Sequence, residues 1–122
     1  MTVKLLLLKS GEDVVADVKE MCVATEDPEK PQVVGYFLSY PCRVKLIGEE
    51  NQEGKPKFKM QLSPWMPLSK DEMIPIVADW VVTATEPIDE LKKVFEQGVE
   101  RNEARKSQTV VVEGPETDSD SD

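Results

Sequence analysis

Residues 3–21 have the pattern of a β-hairpin, and this hairpin constrains the fold more than any other stretch of the chain. An apolar run at residues 5–8 ends at Ser10 and Gly11, and glycine readily takes the positive φ that a tight turn requires. A second strand follows, because apolar residues recur with the period of two expected when one face is buried. The residues predicted to face the core are Val14, Ala16 and Val18, and those predicted to face solvent are Val15, Asp17 and Lys19.

The same alternation predicts further strands downstream. Residues 33–47 form a long half-buried strand, and one parity of this strand, which includes Leu38 and Cys42, is predicted to face the core. Pro41 interrupts it, and because proline cannot donate to a ladder, the strand is expected to be bent, bulged or at an edge there. The remaining predicted strands are residues 57–62, 73–76 and 80–85.

The C-terminal part of the chain is predicted to change from strands to a helix and then to a tail. Pro87 and the acids near it are typical of a helix start. An apolar stripe at spacings of three and four predicts an amphipathic helix over residues 87–106. The stripe consists of Ile88, Leu91, Phe95 and Val99. Residues 107–122 are predicted to be a disordered acidic tail, and residues 1–86 a single β domain.

The net charge of -9 is unevenly distributed along the 122 residues. Five carboxylates in the last ten residues leave a net charge of -4 for the rest, so the folded part is only mildly acidic. A chain of this charge has no basic footprint for tight, salt-sensitive binding of duplex nucleic acid. Composition leaves two roles open for the tail, which are suppression of nucleic-acid binding by charge repulsion and plain solubilisation.

Residues for the commonest catalytic chemistry are missing from the sequence. The chain has no histidine, which excludes Ser-His-Asp and Cys-His sites, and it has no glycine-rich phosphate loop. Cys22 and Cys42 do not form a zinc or redox motif and are predicted to be reduced, mostly buried thiols. Asp13 and Asp17 share an outward strand face that could hold Mg²⁺, but Lys19 on that face favours a solvated charge pattern. The chain is therefore predicted not to be an enzyme and to have no metal site and no cofactor.

Membrane and secretion signals are also missing from the sequence. No stretch approaches the roughly 20 apolar residues of a membrane span. The apolar run near the start is too short for the core of a signal peptide. The protein is therefore expected in the cytoplasm, in the infected host cell if it is of phage origin, with no membrane partner.

The hairpin resembles the first signature of the Sm-like family, in which a hydrophobic strand, a glycine turn and a second alternating strand follow one another. Gly11 matches the first glycine of that signature, and Ala16 stands where the family usually has a second. Residues 76–82, IVADWVV, align without gaps on the second signature, with Val77 in place of its arginine and Ala78 in place of its glycine. The whole arrangement, with the PWMPL stretch and the acidic tail, resembles the small Sm-like proteins of marine cyanophages in particular.

This resemblance implies a mainly β fold, an Sm-like strongly bent five-stranded antiparallel sheet or small open barrel, followed by a C-terminal α-helix. Such sheets have open edges, which Sm-like proteins pair between subunits, so a closed ring of five to seven copies is expected. The implied function is non-catalytic binding of nucleic acid in phage or host RNA or DNA processing. Single-stranded RNA is the favoured ligand, and single-stranded DNA is the second. The alternative is a scaffold ring for protein interaction or assembly, with a phage or host protein as partner and no nucleic-acid ligand.

Six residues are candidates for contacts with ligands or partners. The candidates for nucleic-acid binding are Trp80, Asp79, Tyr40 and Arg43, and those for partner contact are Trp65 and Met66. The first two lie in the second signature, where members of the family place base-contacting groups at the inner rim of the ring, and a tryptophan there could stack on a base. Tyr40 and Arg43 lie at the predicted bend and could supply a stacking ring and a phosphate contact. An exposed aromatic anchor such as Trp65 is typical of an interface, but packing in the core is the alternative for all three aromatic residues.

Overall fold

The fold is mainly β, with a strongly bent antiparallel sheet followed by one helix, as the sequence predicts. The computed structural model describes residues 1–50, 56–101 and 108–113. The elements are β1 (Val3–Leu8), β2 (Asp13–Val23), β3 (Gln32–Glu50), β4 (Pro56–Pro64), β5 (Met73–Val77), a 3-10 turn (Ala78–Trp80), β6 (Val81–Thr85), α1 (Asp89–Glu100) and β7 (Gln108–Glu113). Within these ranges the sheet has seven strands rather than the five that the family resemblance implies. No helix in the described ranges has the length and hydropathy to cross a membrane.

The sheet is organised around the hairpin of β1 and β2 and the long strand β3. Gly11 turns the hairpin with a φ of 89°, which confirms the predicted role of this glycine. The strand order is β6-β1-β2-β3-β4-β7. Because β3 has 19 residues, it pairs with β2 along one edge and with two strands along the other. Residues 35–39 pair with β5, and residues 42–50 pair with β4, so β3 spans both halves of the bent sheet.

A β-bulge in β3 lies at the predicted break. The register between β2 and β3 shifts between Val15 and Asp17, where β3 has one more residue than β2. Tyr40 lies in this extra step with a φ of 53°, in the left-handed region that a bulky residue rarely adopts. The predicted interruption next to Pro41 is therefore confirmed, and it takes the form of a bulge.

Both faces of the sheet carry core residues. One cluster lies beneath α1 and contains Val3, Val15, Cys42, Met60, Leu62, Leu91 and Phe95. The other cluster contains Leu6, Leu8, Val14, Ala16, Leu38 and Ile76. The prediction that Val15 faces solvent is wrong, because α1 covers the face of β2 that the alternation predicted to be exposed. Leu38 and Cys42 were predicted on one face, but they belong to different clusters because the bulge between them changes the parity of the strand.

The described helix is shorter than the predicted one, and its buried stripe does not include the first predicted residue. α1 covers residues 89–100, and residues 102–106 of the predicted span of 87–106 lie outside the described residues. Leu91 and Phe95 are buried as predicted, and Val99 packs partly against the same cluster. Ile88 is 56% exposed, so its place in the predicted stripe is wrong. It precedes the first turn of the helix and does not reach the sheet.

The last described strand lies where the sequence predicts a tail. β7 pairs antiparallel with β4, with Val110 opposite Met60 and Glu113 opposite Lys57. The predicted tail of residues 107–122 therefore starts too early, because the valine-rich segment has high β-propensity and finds an open strand edge. Residues 114–122 lie outside the described residues.

Candidate functional site

The six candidate residues lie in two places on the fold. Tyr40, Arg43, Trp65 and Met66 lie at the bulge of β3 and the end of β4. Asp79 and Trp80 lie in the 3-10 turn between β5 and β6. The turn of the β1–β2 hairpin contacts both places, since Lys9 bonds to the 3-10 turn and Glu12 bonds to the Trp65 side chain.

The group at the bulge is held by the end of the β3–β4 pairing. The backbone N–H of Trp65 donates to the carbonyl oxygen of Pro41 at 3.0 Å. A crevice between the two strands, lined by Tyr40, Pro41, Trp65 and Met66 among others, has a volume of about 10 Å³. Such a volume holds about one water molecule. The structure thus brings these aromatic residues together without leaving a ligand-sized cavity between them.

Tyr40 has its polar end engaged. Its hydroxyl donates to Oε2 of Glu72 at 3.0 Å, and its backbone N–H donates to the Glu72 carbonyl at 2.8 Å. The hydrogen bond and the negative charge of Glu72 raise the pKa of Tyr40 above its ordinary value of 10.0. Its ring packs against the core cluster beneath α1. This placement favours packing over base stacking for Tyr40.

Trp65 has two different surroundings. Its ring is half-buried and packs against the second core cluster. Its indole Nε1–H donates to Oε1 of Glu12 at 3.5 Å, a long hydrogen bond. Beyond it Met66 is exposed and Leu68 fully exposed, and together they border a shallow apolar depression of about 370 Å³. Trp65 therefore serves as packing on one side and as a surface group on the other.

Arg43 lies at the rim of a polar cleft that the sequence did not reveal. Its Nε is 3.8 Å from Oε2 of Glu12, and its side chain remains 56% exposed. The cleft has a volume of about 390 Å³. It is lined by Glu12, Arg43, Lys45, Gln61, Ser63 and Trp65, among others. The signal for it was the parity of β3 and β4, since Arg43 lies opposite Ser63 and Lys45 opposite Gln61, but reading that signal requires the register.

The turn between β5 and β6 presents its side chains outward. Asp79 is exposed, and Trp80 is 43% exposed and belongs to neither core cluster. The backbone of Trp80 is fixed, because its carbonyl oxygen accepts a hydrogen bond from the N–H of Lys9 at 2.9 Å. The alternative that Trp80 fills the core beneath the helix is therefore not what the structure has.

The described residues offer little for metal or nucleophile chemistry. In residues 1–50, 56–101 and 108–113 there is no group of three or more His, Cys, Asp or Glu that could hold a metal ion. Asp17 accepts a hydrogen bond from the backbone N–H of Thr2 at 2.9 Å. Burial raises the pKa of the Cys42 thiol to about 11, so this thiol is a poor nucleophile near neutral pH. Cys22 is a free, exposed thiol, which corrects the prediction that it is buried.

The order of these elements is that of a known family. The family model described as Sm_like domain matches residues 2–96, which hold β1 to β6 and the first two thirds of α1. The chain belongs to the Sm-like family. A search of the curated proteins finds no match. Sm-like proteins in general form oligomeric rings, bind RNA and are not catalytic. The closer resemblance to the Sm-like proteins of marine cyanophages stays a prediction.

Proposed function

We propose that this Sm-like protein assembles into a closed ring of five to seven copies and binds single-stranded nucleic acid, RNA in the first place, without catalysis. The observation that carries the proposal is the placement of Trp80. Its backbone carbonyl accepts a hydrogen bond from the N–H of Lys9, and the residue is 43% exposed at the turn where the second Sm-like signature lies. An exposed indole suits stacking on a base, which contributes about 1 to 3 kcal/mol per base.

Three strands of the described residues, β5, β6 and β7, pair on one side only, and the ring is supported by the edges of β5 and β6. Among the described residues β5 pairs only with β3, and β6 only with β1. Apolar side chains at these edges are exposed, among them Val77 and Val82, and an apolar pocket of about 200 Å³ borders Val77. Pairing the β5 edge of one copy with the β6 edge of the next would satisfy both ladders and bury this apolar surface.

Sedimentation at micromolar concentration tests the ring. We expect five to seven times the 13.7 kDa of one chain, with little change in high salt, because backbone pairing and apolar burial are weakly screened. Val77→Asp should dissociate the ring by placing a charge at the paired edge. Leu68→Asp makes the same kind of change at a fully exposed loop position and is the matched control. A monomeric wild type contradicts the ring.

Binding of labelled oligo-U and oligo-A, followed by fluorescence anisotropy, tests the ligand. Trp80→Ala should weaken binding about 5- to 150-fold, which corresponds to the stacking energy of one base. Trp80→Phe should retain most of the affinity, because it keeps an aromatic face. Tyr36→Phe is the control, since Tyr36 packs on the second core cluster and lies in neither proposed contact. Equal affinities of the wild type and Trp80→Ala would remove Trp80 from the binding site.

The second candidate function is a scaffold ring for protein assembly. The observation that favours it is the loop after Trp65, where Met66 and Leu68 expose apolar surface outside the strands β5 and β6. A wild-type ring that binds neither single-stranded RNA nor DNA at low salt would favour this function over the first. In that case the partner, a phage or host protein, should be sought with the loop intact and with Leu68→Ser as the matched variant.

A further inference from the structure

The β3–β4 segment has a charge unlike that of the rest of the chain. Residues 41–64 contain five Lys or Arg and three Glu, a net charge of +2 in a chain of net charge -9. The rest of the chain has a net charge of -11, five of it in the last ten residues, so the β3–β4 segment is a part of the chain that an anionic partner can approach without net repulsion.

The strand register places three of these cations, Arg43, Lys45 and Lys59, on one face of the β3–β4 pair. Lys45 lies opposite Gln61, and Lys59 lies opposite Ile47, two residues further along the ladder. Arg43 has the same parity as Lys45. On the other parity Cys42, Met60 and Leu62 are buried in the core beneath α1, whereas Leu46 is exposed. We call the side that carries Arg43, Lys45 and Lys59 the ribbon face.

The polar cleft adds directional groups to the ribbon face. Glu12 contacts both Nε1 of Trp65, at 3.5 Å, and Nε of Arg43, at 3.8 Å. One carboxylate thus positions the indole and the guanidinium side by side, while the arginine side chain stays 56% exposed. Gln61 and Ser63 supply amide and hydroxyl groups to the same cleft. A planar guanidinium with several donors matches the geometry of a phosphate group.

The spacing of the cations fits an extended polyanion. Alternate residues on one face of a strand are about 6.8 Å apart, a distance similar to that between successive phosphates of an extended single strand. Arg43 and Lys45 stand at this spacing along β3. A duplex is a poorer fit, because the strip is narrow and the surrounding protein is acidic.

We propose that the ribbon face binds the phosphate backbone of single-stranded nucleic acid, as a second contact distinct from Trp80. The inference rests on the proposed function for the identity of the ligand. In this arrangement Trp80 holds a base by stacking, and Arg43, Lys45 and Lys59 neutralise phosphates of the same strand or of a second strand.

The salt dependence of oligo-U binding tests the ribbon face. Each phosphate contact that is lost should lower the slope of log affinity against log salt by about 0.7. The variant Arg43→Gln/Lys45→Gln/Lys59→Gln should therefore lower the slope by about 2 and weaken binding at low salt by 10-fold or more. Lys92→Gln/Lys93→Gln/Arg101→Gln makes the same change of charge on exposed positions of α1 and at its end, and should leave the slope unchanged. Trp80→Ala should weaken binding without changing the slope.

Inorganic polyphosphate separates this inference from the proposed function, because it has phosphates and no bases. We expect it to compete with oligo-U, and to bind the wild type but not the triple variant. If the wild type binds polyphosphate through these three cations but binds no oligonucleotide, the proposed function fails and the ribbon face stands as a polyanion site. If the triple variant keeps the slope of the wild type, the inference is overturned. Circular dichroism of each variant checks that it is folded. If the triple variant does not fold, Lys45→Gln alone should still lower the slope by about 0.7.

Discussion

Tyr40 and Glu72 are joined twice, through the tyrosine hydroxyl at 3.0 Å and through the tyrosine backbone N–H at 2.8 Å. These two bonds hold the bulge of β3 in its left-handed conformation and tie it to the residues that precede β5. Backbone strain of this kind persists only where the surroundings fix it. The first prediction concerns this pair.

Tyr40→Phe should lower the free energy of unfolding by about 1 kcal/mol, the usual contribution of one hydrogen bond. Because the native state raises the pKa of Tyr40, the stabilisation is complete below about pH 10 and is lost as the pH rises through the raised value. The free energy of unfolding, measured with urea, should therefore fall less between about pH 8 and about pH 11 in Tyr40→Phe than in the wild type. Tyr36→Phe is the control. An equal loss in wild type and Tyr40→Phe would contradict the role of this pair.

Gly35→Ala should destabilise the protein by about 1 to 3 kcal/mol, since a Cβ at this position of β3 would lie 2.6 Å from the carbonyl oxygen of Ile76. The clash is with backbone, so β5 would have to move away from β3. Gly48→Ala is the matched control in the same strand, because its Cβ would lie 3.6 Å from the Phe58 ring, an ordinary contact. Its effect should stay within about 0.5 kcal/mol. Urea unfolding of both variants is the measurement, and similar midpoints would refute the close approach.

Phe95→Ala should cost about 3 to 5 kcal/mol, because this ring is 1% exposed and anchors α1 on the sheet. Ile88→Ala, just before the same helix, should cost less than about 0.5 kcal/mol because Ile88 is exposed. Thermal melts followed by circular dichroism compare the two. A large effect of Ile88→Ala would mean that the side chain is buried by another copy of the chain.

The two cysteines should differ in reactivity toward a disulfide reagent at mildly alkaline pH. Cys22 is exposed and should react quickly in the native protein, whereas Cys42 is buried with a pKa of about 11 and should react only after unfolding. Cys22→Ser should abolish the fast phase, and Cys42→Ser should leave it intact. Fast reaction of both thiols in the native protein would show that the bulge opens readily.

Removal of residues 114–122 should tighten binding of single-stranded RNA several-fold at low salt and less at high salt, where charges are screened beyond about 10 Å. The segment carries four carboxylates, and it follows Glu113, which lies opposite Lys57 at the end of the β4–β7 pair. Neutralising the four acids to Asn and Gln at full length is the control. Unchanged affinity at both salt concentrations would leave the tail as a solubiliser. Truncation after Lys106 would also remove β7 and should lower stability.

Local patterns predicted the elements of this fold but not which faces are covered. The hairpin and the break at Pro41 followed from a period of two, a turn glycine and a missing N–H, all of which are local. Val15 was misjudged because its cover, α1, is about 75 residues away in sequence. The burial of Leu38 and Cys42 on different faces depended on the bulge, whose exact position is set by pairing with β2.

The candidate site was predicted in part for the same reason. Trp80 and Asp79 could be named from a signature, since the turn that exposes them is local. The polar cleft could not be named, because Glu12 and Gln61 are brought to Arg43 by two separate strand pairings. For Tyr40 the sequence leaves a stacking contact and packing in the core both open, because the choice depends on Glu72, a residue 32 positions later.

The pairing of β7 with β4 also determines how long the outer edge of β4 stays unpaired during translation. β4 ends at Pro64 and its outer partner ends at Glu113, so a nascent chain carries an unpaired β4 edge while about 50 residues are added. At 5 to 20 residues per second this lasts roughly 2 to 10 seconds. During that interval nascent chains on neighbouring ribosomes of the same mRNA could pair with the open edge of β4. Lysines on an open edge strand discourage such pairing. Lys57 and Lys59 in β4 would therefore discourage such pairing until β7, the last strand of the described residues, has been synthesised.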